Sequence, residues 1–311
     1  MPEVYLINGF LEAGKTTFIN ELLAKDYFKI MGKTLILSCE EGDTEYDTDI
    51  LKENRTEVEY IESEEDFNEE NITALEKKHK PERVLVEFNG MWDRKNTKFP
   101  WYWENIAEVA IIDASTFKLY IDNMRSFIAE QIRNAGIVCL NRCDKVRDKL
   151  AGYARNIKAI NRGAALLFNG EEGEIQLDPD ENLPYDIEED ELDLDDTGFF
   201  TFCIDSLERY GTYNGKRINF KARVYKMKDG GDFEFVAGRY VMTCCEADMT
   251  LVGIICSYFK AYELENKEWV DISGIVKVSY DTETKKTLPI CRVTSVKRIE
   301  EPENGIINLV G

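Results

Sequence analysis

A glycine-rich segment at residues 9–16 has the residue types that bind phosphate groups. Its sequence, Gly-Phe-Leu-Glu-Ala-Gly-Lys-Thr, fits the pattern G-x-x-x-x-G-K-[ST] and lies between a strand-like and a helix-like run. Glycines let backbone N–H groups turn inward around phosphates, and the following helix N-terminus adds a favourable dipole. We predict that Lys15 contacts the β- and γ-phosphates and that Thr16 coordinates Mg²⁺. The predicted phosphate-binding residues are Gly9, Glu12, Ala13, Gly14, Lys15, Thr16 and Thr17.

A second motif indicates which base the nucleotide carries. Residues 141–144, Asn-Arg-Cys-Asp, follow a strand-like run and resemble the guanine-recognition pattern Asn-Lys-x-Asp, with Arg in place of Lys. A carboxylate at Asp144 can accept two hydrogen bonds from guanine that adenine cannot supply. The stem of Arg142 would lie over the base, although arginine and lysine are not equivalent. We predict guanine binding by Asn141, Arg142 and Asp144; a helix N-cap at Asp144 is the alternative role and is compatible with it.

A third apolar run ends in an acidic residue. Residues 84–90 read Val-Leu-Val-Glu-Phe-Asn-Gly, and they lie between the two motifs above. An acid at a strand end beside the phosphate loop suits a role in holding Mg²⁺ and positioning water. We predict that Lys15 and Glu87 are catalytic and that Gly90 brings its N–H to the γ-phosphate.

These motifs require a scaffold that brings strand ends together. Strand-like runs at residues 4–7, 34–37, 84–86, 109–112 and 137–140 alternate with helical patterns at 16–24, 65–78 and 117–134. The alternation predicts an α/β domain over residues 1–170, with a mostly parallel sheet and helices on both faces. Ligands bind at the carboxyl ends of the strands in such sheets, which is where the motifs fall.

The rest of the chain has a different pattern. Residues 171–196 hold 14 Asp or Glu and no Lys or Arg. We predict an acidic solvated linker over residues 171–197, with a low-affinity cation site as the alternative. Strand-like runs at 217–227, 233–242, 251–258, 269–278 and 290–297 follow, with turns at 229–231 and 266–267. They predict a small all-β, OB-like barrel over residues 198–311.

Charge and hydropathy exclude several classes of protein. The formal net charge is −21 and no basic block is present, so we expect no nucleic-acid partner. The longest apolar runs are far shorter than the ~20 residues that span a bilayer, so we expect no direct membrane insertion and a cytoplasmic location. A single histidine, His79, excludes a histidine-rich metal store.

With these three motifs in order, residues 2–170 resemble the CobW-type GTPases, relatives of the HypB and UreG nickel chaperones. The resemblance also includes residues 6–22, 131–132 and 157–164. It implies a switch driven by GTP and GDP that delivers a metal or cofactor to a client. Acids of the first switch would fall within residues 40–49, where Asp43, as a Mg²⁺ ligand, and Asp47 are the candidates.

One departure from that family concerns its metal cargo. CobW-type proteins usually carry a Cys-x-Cys-Cys motif between the first switch and the acidic strand, where this chain has Thr-Glu-Val-Glu-Tyr-Ile-Glu at 56–62. Cys39 stands alone and is expected to pack at a strand end. A transition metal such as Zn therefore lacks its usual site. The adjacent Cys244 and Cys245 could bind a soft metal, but adjacent strand residues point to opposite faces, so structural thiols are the alternative.

Residues 198–300 resemble the C-terminal domain of uncharacterised bacterial permease-associated proteins, through residues 238–248 and 269–274. The resemblance implies a membrane permease as a partner, in addition to a client protein. The aromatic residues Trp92, Trp101, Tyr102 and Trp103 follow Gly90, and they indicate either a partner or homodimer surface or ordinary core packing.

Three functions compete at this point. The first is a slow, Mg²⁺-dependent GTPase switch, slow because no arginine finger or strong base is evident. Phe10 takes the second phosphate-loop position, so the trans-acting lysine of some relatives is absent. The second is a GTP-sensing adaptor in which hydrolysis is incidental. The third, a small-molecule kinase, is disfavoured by the guanine motif and the lack of an arginine-rich lid.

Overall fold

The computed structural model of the chain describes residues 1–94, 96–227, 231–243, 249–281 and 285–308. They form two compact units, and each unit uses two stretches of sequence. The first unit comprises Met1–Leu150 and Asn161–Gln176, and the second comprises Ala151–Ile160 and the described residues of Leu177–Gly311.

The first unit is built on an eight-stranded sheet in the order β3-β2-β4-β1-β5-β6-β7-β8. All neighbours pair in parallel except β7 and β8. Parallel pairing brings the carboxyl ends of β1, β4, β5 and β6 to one edge, as the motifs require. The strands are β1 Glu3–Asn8, β2 Thr34–Ser38, β3 Thr56–Tyr60, β4 Arg83–Glu87, β5 Ile106–Asp113, β6 Ile137–Asn141, β7 Ala165–Gly170 and β8 Gly173–Glu174.

Within the described residues, eight α-helices accompany the strands: α1 Lys15–Leu23, α2 Thr48–Glu53, α3 Glu69–His79, α4 Ala114–Asn123, α5 Arg125–Arg133, α6 Leu150–Ile160, α7 Asp196–Glu208 and α8 Tyr210–Tyr213. The helical pattern at 117–134 is divided between α4 and α5, because Met124 leaves helical geometry with φ −132° and ψ 39°. Short 3₁₀ helices cover Asp26–Phe28, Cys143–Lys149 and Ala261–Glu263.

Alternate residues of the central strands pack on opposite faces of the sheet. Val4 and Leu6 lie in one buried cluster and Ile7 in another, so both faces of β1 are covered. Most of the aromatic residues after Gly90 belong to the first cluster: Trp103 is buried there, while Trp101 remains 79% exposed. Core packing is therefore the main role of this aromatic group, with Trp101 as its exposed member.

The second unit is built on a closed five-stranded barrel. Its strands follow the order β10-β11-β12-β14-β13, and β13 and β11 both pair with β10, which closes the barrel. β12 and β14 pair in parallel, and the other barrel pairs are antiparallel. The strands are β9 Glu191–Leu194, β10 Arg217–Tyr225, β11 Glu234–Met242, β12 Met249–Ser257, β13 Trp269–Asp281, β14 Lys286–Ile299 and β15 Ile306–Asn308. The predicted fold class, a parallel-sheet P-loop domain followed by an OB-like barrel, is confirmed.

Two features of the second unit differ from the sequence-based predictions. The end of the predicted linker forms β9, which pairs in parallel with β10 and buries Leu192 and Leu194. Helix α7 was expected to be part of the β-rich region. It is buried nearly all round, so its sequence lacks an amphipathic period, and Phe199 stacks on Phe220 with ring centroids 4.9 Å apart. Packing against the barrel therefore outweighs the low helix propensity of its aromatic residues.

Two further expectations from the sequence concern the turn at residues 229–231 and membrane-spanning helices. Part of the turn predicted at residues 229–231 lies outside the described residues. Among the described residues, no helix has the length and apolar content that crossing a bilayer would need.

We predict that Gly253→Ala destabilises the barrel. Gly253 faces Gly238 across β11 and β12, and a Cβ at Gly253 would lie 2.5 Å from the carbonyl oxygen of Ala237. We expect a loss of about 1–3 kcal/mol in the free energy of unfolding, measured by urea denaturation of the full chain. Gly152→Ala in α6 is the matched control, since its Cβ would meet no described atom within 4 Å. Equal urea midpoints for Gly253→Ala and wild type would contradict the packing of these two strands.

Candidate functional site

The phosphate loop connects β1 to α1 and depends on left-handed backbone geometry. Gly14 has φ +98° and Glu12 has φ +61°. A Cβ at Gly9 would lie 2.2 Å from the carbonyl oxygen of Ile111, and one at Gly14 would lie 2.8 Å from Asn141 Nδ2. Both glycines are therefore required for the loop to pack against β5 and β6.

Lys15 is buried at the start of α1, and its ammonium group contacts three oxygens. Nζ donates to the carbonyl oxygens of Gly9 at 2.6 Å and Phe10 at 2.9 Å. It also forms an ion pair with Glu40 Oε1 at 2.6 Å. The lysine predicted to bind phosphates is thus paired here with a carboxylate from the segment after β2.

Burial works against both charges of this ion pair. Desolvation lowers the pKa of Lys15 and raises the pKa of Glu40, and in each case the partner's charge opposes the shift. The Glu40 side chain is only 9% exposed, and its Oε2 has no hydrogen-bond partner among the described residues. A buried carboxylate oxygen in this condition favours a cation or a donor beside it.

Glu87 connects three separate segments at the end of β4. Its carboxylate is buried and accepts hydrogen bonds from Thr16 Oγ1 at 2.6 Å, from Ser38 Oγ at 2.8 Å and from Tyr46 OH. Desolvation, with the nearby Glu87 charge, raises the pKa of Tyr46, so this hydroxyl stays protonated and donates. The arrangement brings together Thr16 and Glu87, two residues that the sequence predicts to act on Mg²⁺.

The segment between β2 and α2 carries the predicted first-switch acids. Asn20 of α1 holds it, because its side chain donates to the Glu45 carbonyl oxygen at 3.2 Å and accepts from Asp47 N at 3.1 Å. Asp47 caps α2 by accepting from the backbone N–H groups of Asp49 and Ile50. Asp43 is exposed in the same segment.

Gly90 packs directly against the phosphate loop. A Cβ at this position would lie 2.4 Å from the carbonyl oxygen of Gly9 and 2.8 Å from Gln131 Nε2. Gln131 also donates to the Gly90 carbonyl oxygen at 3.2 Å. The turn after Glu87 is therefore held between the phosphate loop and α5.

Two of the three predicted base-reading residues line a cavity of about 580 Å³, and Asp144 is not among its lining residues. Asn141 and Arg142 line it together with Ala13, Gly14 and Thr17 of the phosphate-loop region. The Asn141 side chain donates to the Ala13 carbonyl oxygen at 3.0 Å and so ties the two motifs together. The volume falls within the range of known small-molecule sites.

Arg142 and Asp144 each have a partner of their own. Arg142 forms an ion pair with Asp113. Burial alone would raise the pKa of Asp113, but hydrogen bonds from Ser115 and Arg142 outweigh it and lower the pKa. Asp144 is exposed, and its Oδ2 accepts the backbone N–H of Glu171 at 2.7 Å. The exposed carboxylate thus also fastens the loop after β7.

Two buried thiols support the base-reading segment. Cys143 donates to the Leu140 carbonyl oxygen at 3.2 Å, and Cys139 lies on β6 beside Asn169. Desolvation raises the pKa of each thiol to about 12, so both stay protonated at neutral pH and act as packing groups. Cys39 is likewise buried in the core.

The possible metal ligands at the phosphate loop are oxygen atoms, which suit Mg²⁺ and not a soft metal. Mg²⁺ takes oxygen ligands, and the Thr16 hydroxyl and the Glu87 carboxylate lie 2.6 Å apart, while Glu40 Oε2 has no hydrogen-bond partner among the described residues. No group of three or more His, Cys, Asp or Glu side chains in the described part of the chain is arranged to hold a metal ion. Cys244 and Cys245 lie outside the described residues.

Several residues of the site carry no motif in the sequence. Ser38, Glu40 and Tyr46 reach Lys15 or Glu87 from the β2 end and the following loop. Asn169 Nδ2 donates to Asn141 Oδ1 at 3.3 Å from the end of β7. The one signal available was position: each follows or ends a strand whose carboxyl end lies at the site.

The chain matches two protein families. Residues 3–168 match the family described as CobW/HypB/UreG, nucleotide-binding domain. Residues 172–307 match the family described as DUF1980 C-terminal domain. The UPF0703 protein YcgQ of Bacillus subtilis (strain 168) is 26% identical over 118 residues, which are 38% of this chain and 41% of that protein. The chain thus spans about two fifths of the length of this relative.

Solved structures that match the chain have low sequence identity to it. The hydrogenase maturation factor HypB from Archaeoglobus fulgidus has a TM-score of 0.43 and 16% identity, covering 55% of this chain and 82% of its own. The Zn(II)-bound YjiA GTPase from E. coli has a TM-score of 0.40 and 13% identity, covering 96% and 90%. The family match over residues 3–168 covers more than half of the sequence. The chain therefore belongs to the CobW/HypB/UreG nucleotide-binding domain family.

Proposed function

We propose that this chain is a Mg²⁺-dependent switch that binds and hydrolyses GTP. The observation that carries the proposal is the pairing of Thr16 with Glu87 at 2.6 Å beside the buried Lys15. A nucleoside triphosphate bound to this loop would meet the Lys15 cation, the Thr16 hydroxyl and the Glu87 acid, which are the kinds of group that phosphoryl transfer uses.

Each residue of the phosphate site has a distinct proposed role. Lys15 binds the β- and γ-phosphates, and the Thr16 hydroxyl holds Mg²⁺, with Asp43 as a candidate further ligand. When bound there, Mg²⁺ would supply positive charge to neutralise the phosphate oxygens. Glu87 orients the hydroxyls around it and positions water, while Gly90 offers its N–H where no side chain would fit.

The proposed guanine site is the cavity beside the phosphate loop. Asn141 fixes the base-reading segment to the phosphate loop through Ala13, and the Arg142 stem covers the base. The Asp144 carboxylate reads guanine, for which it exchanges or shares its hydrogen bond with the Glu171 backbone.

Glu40 gives the site a way to report that nucleotide is bound. Its carboxylate holds the ammonium group that the phosphates require, so phosphate binding has to displace it. Displacement moves the segment after β2, and Tyr46 of that segment also bonds Glu87. The nucleotide therefore changes a surface segment through two contacts.

The switch acts on a partner. Delivery of a metal or cofactor to a client protein, or regulation of a membrane permease, is the role that we propose, with a homodimer as one form that completes the site. The family of the first unit supports a client protein, and the resemblance of residues 198–300 to permease-associated proteins supports a permease. A Zn-type cargo would require Cys244 and Cys245, the remaining thiol candidates.

A GTP-sensing adaptor, with incidental hydrolysis, is the second candidate. The observation that favours it is Phe10, which stacks on Tyr120 with ring centroids 4.2 Å apart. The second phosphate-loop position thus holds a buried aromatic group, and the trans-acting lysine that some relatives carry there is absent. Nucleotide-dependent partner affinity without partner-stimulated turnover would support this alternative.

Replacing the phosphate-loop lysine tests the proposed function directly. We expect wild type with Mg²⁺ to bind and hydrolyse GTP in preference to ATP, and Lys15→Ala to lose at least about 100-fold in turnover because it lacks the cation at the phosphates. Nucleotide binding by calorimetry and phosphate release are the measurements. Lys118→Ala, an exposed lysine on α4, is the matched control. Failure of wild type to bind either nucleotide would refute the proposal.

Asp144→Ala tests base recognition. We expect the preference for GTP over ATP to fall by about 100-fold, because the acceptor for two guanine donors is lost. Competition between GTP and ATP for the binding site is the measurement. Asp144→Asn keeps the size and one acceptor oxygen, so it separates base recognition from the bond to Glu171. Unchanged selectivity in both variants would assign guanine recognition to another residue.

Glu40→Gln tests the competition between carboxylate and phosphate. With the ion pair removed, Lys15 is available, and we expect the dissociation constant of GTP to fall by about tenfold, or 1.4 kcal/mol. Calorimetry of GTP binding is the measurement. Glu41→Gln, which changes the exposed neighbouring acid, should leave the constant unchanged. Weaker GTP binding in Glu40→Gln would instead make Glu40 a direct ligand of the nucleotide's Mg²⁺.

A further inference from the structure

An exposed aromatic residue lines the cavity that is proposed to hold guanine. Tyr27 shares this cavity of about 580 Å³ with Gly14 of the phosphate loop and with Asn141 of the base-reading segment. Tyr27 is 81% exposed, whereas Phe18, the other aromatic residue of the lining, is half-buried and packs against the core beneath α1. None of the roles proposed above uses the Tyr27 ring.

The cavity follows α1 away from the phosphate loop. Thr17 and Glu21 line it from successive turns of this helix, and Lys25 lines it from just beyond the helix end. Because an α-helix rises ~1.5 Å per residue, the end of α1 at Leu23 lies ~12 Å from Lys15 along the helix axis. The cavity therefore continues past the phosphate-binding end of α1 far enough to hold a nucleoside.

The charges of the lining residues favour a neutral group in this part of the cavity. Three of the lining residues are acids, namely Glu21, Glu171 and Glu174. The cations of the lining are Lys25 and Arg142, and Arg142 is already paired with a carboxylate. This excess of acid disfavours a phosphate chain along the cavity and suits the uncharged base of a nucleotide.

The backbone that carries Tyr27 is fixed by the residue that follows it. The buried Phe28 ring lies 5.2 Å from the Tyr5 ring and 3.9 Å from Arg83 Cζ, both measured to the Phe28 centroid. The Arg83 guanidinium also donates to the Phe28 carbonyl oxygen and to Thr34 Oγ1. Tyr27 is thus an exposed ring on an anchored turn, and this anchoring reduces the entropy that is lost when a ligand covers the ring.

We propose that Tyr27 stacks on the purine base of the bound nucleotide. An aromatic ring offers a face that any base can cover, so the contact adds affinity without choosing between guanine and adenine. The choice of base stays with the Asp144 carboxylate. The inference rests on the proposed function, because it requires a nucleotide in the cavity.

The dissociation constants of GTP and of inorganic triphosphate, each with Mg²⁺, test this stacking in the full chain. We expect Tyr27→Ala to raise the constant of GTP by about tenfold and to leave that of inorganic triphosphate unchanged, since inorganic triphosphate has no base. Tyr27→Phe keeps the ring and should stay within about twofold of wild type. Met31→Ala is the matched control, because Met31 is 83% exposed and does not line the cavity.

Tyr27→Ala is also expected to weaken ATP binding by the same factor as GTP binding, so that the preference between the two nucleotides is kept. Wild-type affinity for GTP in Tyr27→Ala would overturn the stacking and leave the proposed function intact. An equal loss of affinity for inorganic triphosphate would likewise overturn it, since the effect would then lie at the phosphates. Failure of the wild-type chain to bind GTP would overturn both.

A spectroscopic measurement follows the Tyr27 ring without any hydrolysis. The tyrosines are replaced by 3-fluorotyrosine, and the Tyr27 signal in the ¹⁹F spectrum is assigned by its loss in Tyr27→Phe. We expect this signal to shift on saturation with GDP and to stay in place with pyrophosphate, because only GDP brings a base over the ring. Equal shifts with the two ligands, or no shift in protein shown to have bound GDP, would overturn the stacking.

Discussion

The site depends on one buried carboxylate that has no cation of its own among its hydrogen-bonding partners. Glu87 is stabilised by three hydroxyl donors, and these come from the phosphate loop, the end of β2 and the segment before α2. A buried charge left without donors is strongly unfavourable, so the three segments are held together by the same group. A change in the partner of any one hydroxyl is therefore transmitted to the other two. Because of this shared dependence, the three segments at the strand edge respond together to any ligand that binds there.

Close backbone contacts extend this unit beyond hydrogen bonding. Gly9 approaches Ile111 of β5, and Gly90 approaches Gly9, at distances that leave no room for a Cβ. Such contacts behave as rigid joints, because neither chain can move toward the other without overlap. The charged pair of Lys15 and Glu40 is different in kind, since it is held by attraction between two groups that burial disfavours. The site thus combines close backbone contacts, which are fixed, with one ion pair in which a competing anion can replace the carboxylate.

Much of this architecture could be predicted from local patterns. The phosphate loop and the acidic strand are recognisable in the sequence because each needs particular residue types at fixed spacing. The alternation of strand-like and helix-like runs predicted the parallel sheet. Glu40 lies within the range 40–49 expected for the acids of the first switch, but its pairing with Lys15 could not be predicted this way, nor could the role of Asn169. Both roles come from where the fold brings these residues, and neighbouring residues carry the same types. Helix α7 was missed because its faces are covered on all sides, which erases the period that marks surface helices. Strand β9 was not predicted because the acids Glu191 and Asp193 alternate with its two buried leucines, which makes the segment resemble the rest of the acidic linker.

Helix α6 has a consequence for how the gene can be divided. Leu150 belongs to the first unit, the following ten residues belong to the second, and the chain returns to the first unit at Asn161. Neither unit is therefore a contiguous piece of sequence. A single cut cannot release either unit whole, and a recombination event that exchanged one at a single crossover would carry away part of the other.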